Sequence, residues 1–87
     1  MYLHLGKNTV INTKDIVGIF DMDTSTISKN TRDYLSIAEK AGRVINVSME
    51  LPKSFVVCKD EEGIKVYISQ ISSQTLQKRK INLLKDV

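Results

Sequence analysis

Apolar and polar positions along the chain follow two periodicities, and the order in which they alternate lays out a sequence of elements. Tyr2–Leu5 and Thr9–Asn12 are short runs of period two joined by Gly6, Lys7 and Asn8, a pattern that predicts a hairpin. Asp15–Phe20 keeps strand character, because Ile16, Val17, Ile19 and Phe20 all favour extended backbone. Gly18 inside that run predicts a bulge or the close approach of another backbone. Asp21, Met22, Asp23, Thr24 and Ser25 then break the pattern with residues suited to turns and helix N-caps.

From Thr26 to Ala41 the period becomes helical. Ile27, Thr31, Tyr34, Leu35, Ala38 and Ala41 fall on one face, and Lys29, Arg32, Asp33, Ser36, Glu39 and Lys40 take the other. Gly42 is placed to end that helix as its C-cap. Val44–Met49 alternates again, with Ile45, Val47 and Met49 on one side, and Pro52 separates it from the next strand. Ser54–Lys59 and Ile64–Ile68 predict a second hairpin around Asp60, Glu61, Glu62 and Gly63, its later strand having one wet face. Ser72 or Ser73 then caps a last helix running from Gln74 towards Leu84, with Leu76, Ile81, Leu83 and Leu84 apolar. The expected fold class is α+β: one domain over residues 1–87, with a small four- to five-stranded, mostly antiparallel sheet and two helices.

Charge changes this picture more than composition does. The net charge is only +3, but residues 1–73 carry nine basic and nine acidic side chains. The whole excess lies in residues 74–87, where Lys78, Arg79, Lys80 and Lys85 oppose Asp86 alone. With 87 residues and one cysteine, Cys58, the chain has no internal disulfide and no Cys/His zinc spacing, so a tight core or self-association has to stabilise it. Cys58 lies in the apolar run Phe55–Cys58 and reads as a buried small side chain in a reducing compartment. The chain opens without a basic segment leading into an apolar one, and no run approaches the length of a membrane span. The expected location is the cytoplasm, with no membrane partner.

Catalysis is hard to assemble from one histidine, one cysteine and no tryptophan, so the chain is expected not to be an enzyme. No cofactor or metal is expected either: the four glycines form no phosphate-cradling loop, and the carboxylates of Asp60–Glu62 read as a solvated hairpin tip. His4, alone on a strand, reads as a surface or interface residue. The candidate binding residues are cations. Lys14 sits between two apolar strand segments, as either a solvated turn residue or a phosphate contact. Lys53 follows Pro52 at a stiffened loop end, where less ordering entropy is lost on binding an anion. Lys78, Arg79 and Lys80 are more concentrated than helix capping requires, which leaves a helix-dipole role and an anionic partner both open.

Three segments carry a family resemblance. Tyr2–Gly6 with Val10–Asp21, then Pro52–Val57, then Ser69–Arg79 resemble, in order and spacing, the RemA/RemB family of small bacterial extracellular matrix (biofilm) regulators, on its RemB-like side. The resemblance implies DNA-binding transcriptional regulators that assemble into homo-oligomeric rings and display basic residues to a curved DNA duplex. It places Lys14 where the RemA branch has an arginine, and Glu50-Leu51-Pro52-Lys53 where that branch has an arginine-rich loop. Here the loop has one acid and one base. The expected DNA-binding residues are therefore Lys14, Lys53, Lys78, Arg79 and Lys80. The alternative is a protein-interaction or auxiliary module of the same family that docks another regulatory protein without touching DNA. An RNA-binding ring is disfavoured by the scarcity of aromatic residues available for base stacking.

Overall fold

The structure, a computed structural model, describes residues 1–22 and 28–85. Its elements are β1 (Tyr2–Gly6), β2 (Thr9–Asn12), a 3-10 turn (Thr13–Asp15), β3 (Ile16–Asp21), α1 (Lys29–Lys40), β4 (Val44–Asn46), β5 (Ser54–Asp60), β6 (Gly63–Ser69) and α2 (Ser73–Lys85). The α+β class, the two helices and the mostly antiparallel pairing are as the periodicity predicts. The strands are divided between two sheets rather than joined in one: β1 and β2 form a ribbon of their own, and the other four run in the order β3-β5-β6-β4.

In the larger sheet β3 is antiparallel to β5, β5 to β6, and β4 is parallel to β6. The two edge strands, β3 and β4, are therefore parallel to each other. α1 connects them across the sheet, and the β5–β6 hairpin fills the space between, a split βαβ arrangement. β5 is the central strand, and its residues Ser54–Cys58 are all buried. Phe55 and Val57 pack with Val66 and Ala38 on the α1 side. Val56 and Cys58 pack with Leu3, Leu5, Ile11, Ile19, Val47 and Leu76 on the side covered by the ribbon and α2. The chain is thus three layers deep, and the wet face expected for β6 is instead partly covered: Ser69 is fully buried and Tyr67 packs against the ribbon-side core.

The local devices are largely those the residues announce. Gly18 sits at a register break between β3 and β5, and a Cβ there would lie 2.5 Å from the ring of Phe20. The close neighbour is thus a side chain, and Phe20 in turn stacks on Phe55 with centroids 5.1 Å apart. α1 is capped by Ser28, whose side chain accepts from the Thr31 N–H at 3.2 Å. The expected helix start at Thr26 and Ile27, and the cap candidates Asp23, Thr24 and Ser25, fall outside the described residues. At the other end Gly42 has φ +70°, Arg43 N–H donates to the Ala38 carbonyl at 2.7 Å, and Gly42 N–H donates to Glu39 at 3.1 Å. This Schellman ending leaves Ala41 exposed instead of on the apolar face. Ser72 caps α2 by accepting from Thr75 N–H at 3.2 Å.

The expected extent of the strand over Val44–Met49, and its single apolar face, do not hold. The strand predicted over Val44–Met49 ends at Asn46: Val47 still donates to Ile68, and Ser48 Oγ then accepts from Glu50 N–H, turning the chain away. Val47 is buried, but Met49 is 97% exposed, so the alternation does not define one face; Leu51, beyond it, is 80% exposed. In α2, Leu76 is fully buried and Leu83 packs behind it, whereas Ile81 turns to solvent.

Candidate nucleic-acid interface

The larger sheet separates the expected cations. Lys14 lies in the 3-10 turn just before β3, whose Ile16 pairs with Cys58 near the end of β5. Lys53 precedes Ser54 at the opposite end of that strand. A seven-residue strand spans about 20 Å at roughly 3.3 Å per residue, so the two lysines do not converge on one protomer.

Their surroundings differ as well. The Lys14 side chain is exposed, and its backbone N–H is held by the Asn12 side chain at 3.2 Å. It borders an open concavity of about 440 Å³ whose other walls are Asp15, Asp60, Glu61 and Glu62. Lys65 bridges the hairpin tip, 3.2 Å from Glu62 and 3.6 Å from Asp60. The Glu62 N–H, 2.8 Å from Asp60 Oδ1, holds the Asp60 carboxyl below its ordinary pKa, with Lys65 adding to the effect; the hydrogen bond to Glu62 holds the Lys65 ammonium above its own. Lys14 therefore stands at the acidic end of the molecule, where a phosphate would meet four carboxylates beside it. Lys53 has an exposed side chain on a firmly held backbone: its N–H donates to Ser69 at 2.9 Å, and its carbonyl accepts from Met22 at 3.0 Å.

The basic cluster of α2 is split by the helical period. Successive residues turn by about 100°, so Arg79 and Lys80 flank the inward stripe of Leu76 and Leu83 on opposite sides. Lys80 is half-buried, whereas Lys78 and Arg79 are exposed, and none of the three forms an ion pair among the described residues. Arg79 leans over the ribbon, its Nη1 donating at 3.5 Å to the His4 carbonyl. Because Leu3 and Leu5 face the core, Tyr2 and His4 point outward from β1, paired across the ribbon with Asn12 and Val10. Tyr2, Leu3, His4, Arg79, Asn82 and Leu83 line a shallow notch of about 290 Å³. No carboxylate lines it among the described residues.

Sequence reasoning put Arg79 among the candidate cations but gave Tyr2 and His4 no part in that surface. Their outward direction was readable from the Tyr2-Leu3-His4-Leu5 alternation; their contact with α2, more than seventy residues later in the chain, was not. Cys58 offers no reactive centre. It is buried, and desolvation first, then Asp15 and Asp60, push its thiol up to about 12. Among the described residues no group of His, Cys, Asp and Glu side chains is arranged to hold a metal ion, and no helix is long and apolar enough to cross a membrane.

The sequence model of the RemA-like family, described as extracellular matrix regulatory protein A-like, matches residues 2–79. The chain belongs to this family of regulatory proteins. It is also 38% identical over 79 residues to extracellular matrix regulatory protein B of Bacillus subtilis (strain 168), an alignment covering 91% of this chain and 89% of that protein. Membership of the RemB-like branch follows from that similarity. The match of RemA-like proteins spans both sheets, α1 and the start of α2 through Arg79, and so takes in the ribbon and the point where α2 crosses it.

Proposed function

We propose that the chain is a non-enzymatic, DNA-binding transcriptional regulator of extracellular matrix genes, acting in the cytoplasm as a ring-shaped homo-oligomer. The supporting observation is the flank of α2, where Lys78 and Arg79 are exposed and free of carboxylate partners among the described residues. Lys53, held by backbone bonds on both sides, is a second stiff cation. One protomer offers few such groups, so its own affinity for DNA is weak and dominated by counterion release. A ring multiplies the contacts made to one duplex. It also offsets the cost of bending, on the order of 1–6 kcal/mol over 20–30 base pairs.

The test is a mobility-shift or anisotropy titration of duplex DNA by the assembled protein over a salt series, together with the mass of the assembly. Retention that weakens steeply with salt and with Lys53→Ala or Lys78→Ala is expected. No binding at low salt, or a monomer in solution, refutes the proposal. A second reading is favoured by Met49 and Leu51, two large apolar side chains almost fully exposed on the loop between β4 and β5. It makes the chain an interaction module that docks another regulatory protein through this loop. A stoichiometric partner lost on Met49→Ser and Leu51→Ser, with no DNA retained, would favour it.

A further inference from the structure

We infer that the notch between β1 and α2 holds a phosphodiester of the DNA backbone, with Tyr2, His4, Arg79 and Asn82 as its ligands. This rests on the DNA-binding reading above and names a contact surface within it. The chemistry of the lining points to an anion that only accepts hydrogen bonds. Arg79 carries five N–H donors, one of which is turned to the His4 carbonyl at 3.5 Å, leaving the rest of the guanidinium fork available. Tyr2, Asn82 and His4 belong to the same walls, and their hydroxyl, amide and imidazole groups are each able to donate.

Charge placement separates this notch from the concavity at Lys14. The concavity at Lys14 has four carboxylates to one lysine, whereas the notch has an arginine and, among the described residues, no acid, with Lys78 on the same flank of the helix. A polyanion is favoured at the second and repelled at the first. Preorganisation adds to this. Tyr2 and His4 are held in register by the β1–β2 ladder, with Leu3 and Leu5 anchored in the core, and Arg79 lies one turn beyond the buried Leu76. The mixture of a bidentate cation with further N–H and O–H donors and an exposed tyrosine suits a backbone phosphate and its sugar. Contacts here would position the duplex without selecting its sequence.

His4 is the only histidine, so its ring protons give one unambiguous reporter inside the notch of the unmodified protein. Adding a generic duplex oligonucleotide to the full chain is expected to shift or broaden those resonances. In anisotropy titrations Arg79→Ala is expected to weaken duplex binding by about tenfold and to make the log–log salt dependence shallower by about one. Arg79→Lys should keep the salt slope while losing affinity, because it retains the charge without the fork. Tyr2→Ala and His4→Ala should each weaken binding several-fold. These side chains are exposed and the bond to Arg79 uses the His4 backbone, so denaturation midpoints should stay unchanged. If wild-type protein binds no duplex at about 50 mM salt, the DNA-binding reading fails and this inference fails with it. If wild-type protein binds but the four variants match it within twofold and the His4 resonances stay still, the notch alone is refuted. Tighter binding of single strands than of duplex, abolished by Tyr2→Ala, would also overturn it, in favour of base stacking on Tyr2.

Discussion

Replacing Ser69 by alanine tests how the ribbon that carries Tyr2 and His4 is held in place. No backbone ladder joins β1–β2 to the four-stranded sheet, so the ribbon is fixed by burial of Leu3, Leu5 and Ile11 and by side-chain hydrogen bonds. Ser69, fully buried on β6, provides the direct tie: its Oγ donates to the Leu5 carbonyl at 2.7 Å and accepts from the Ile71 N–H at 3.0 Å. Alanine keeps the strand geometry and removes both partners. Leaving the Leu5 carbonyl unpaired costs about 1–3 kcal/mol, and the half-buried Ile71 N–H costs less, for a total of about 2–3 kcal/mol. For a chain of this size that lowers the melting temperature by about 10–20 °C. The assay is urea denaturation at one fixed protein concentration, since self-association would otherwise enter the midpoint. The midpoint should fall with the slope unchanged. Hydrogen exchange should show β1 amides losing protection ahead of those of β5. A loss below about 0.5 kcal/mol, or no change in β1 protection, would mean that apolar burial alone holds the ribbon.

Four further outcomes follow from the electrostatics. Cys58 should resist thiol reagents at pH 8 in the folded protein and react once denatured, because burial pushes its thiol from 9.0 up to about 12. The fold holds the protonated thiol while the unfolded chain ionises, so stability should fall as pH rises from about 9 towards 12, and Cys58→Ala should flatten that limb in alkaline denaturation curves. The Asp60 carboxyl is held below its ordinary value, so its contribution is present above the normal carboxylate pKa and lost as pH falls through the folded one; Asp60→Asn should reduce the acid sensitivity measured by circular dichroism. Glu61, exposed beside Lys14, should oppose DNA: Glu61→Gln is expected to raise duplex affinity several-fold at low salt, an advantage that disappears when added salt shortens the Debye length to a few ångströms.

Local chemistry was the legible part of this sequence. Ser72 as a cap, Gly42 as a left-handed helix ending and Gly18 as a register break each act within a few residues, and each is found where its side chain, or lack of one, implies. Layering was not legible. The continuous buried run in β5 signals a strand covered on both faces, but periodicity cannot say that the second cover is a detached hairpin from the chain's start together with its last helix. The alternation through Met49 failed for a related reason: a strand pattern persists in sequence after the partner strand has run out, and hydrogen bonding to Ser48 then decides the path. In the candidate site, the concentration of positive charge was visible, but its direction depended on which side of α2 the leucines dock.

Geometry also reorders the candidate residues relative to one another. Tyr2 pairs with Asn12, two residues before Lys14, so the Tyr2 end of the notch lies on the Lys14 side of the ribbon. A duplex lying along the ribbon in that direction would leave Arg79 and reach Lys14 amid Asp15, Asp60, Glu61 and Glu62. Within a Debye length of about 8–10 Å those carboxylates subtract from whatever Lys14 adds. Lys14 can therefore strengthen DNA binding only where something else neutralises the hairpin tip, and the cation that bridges it among the described residues, Lys65, belongs to the same protomer and is already counted in that balance.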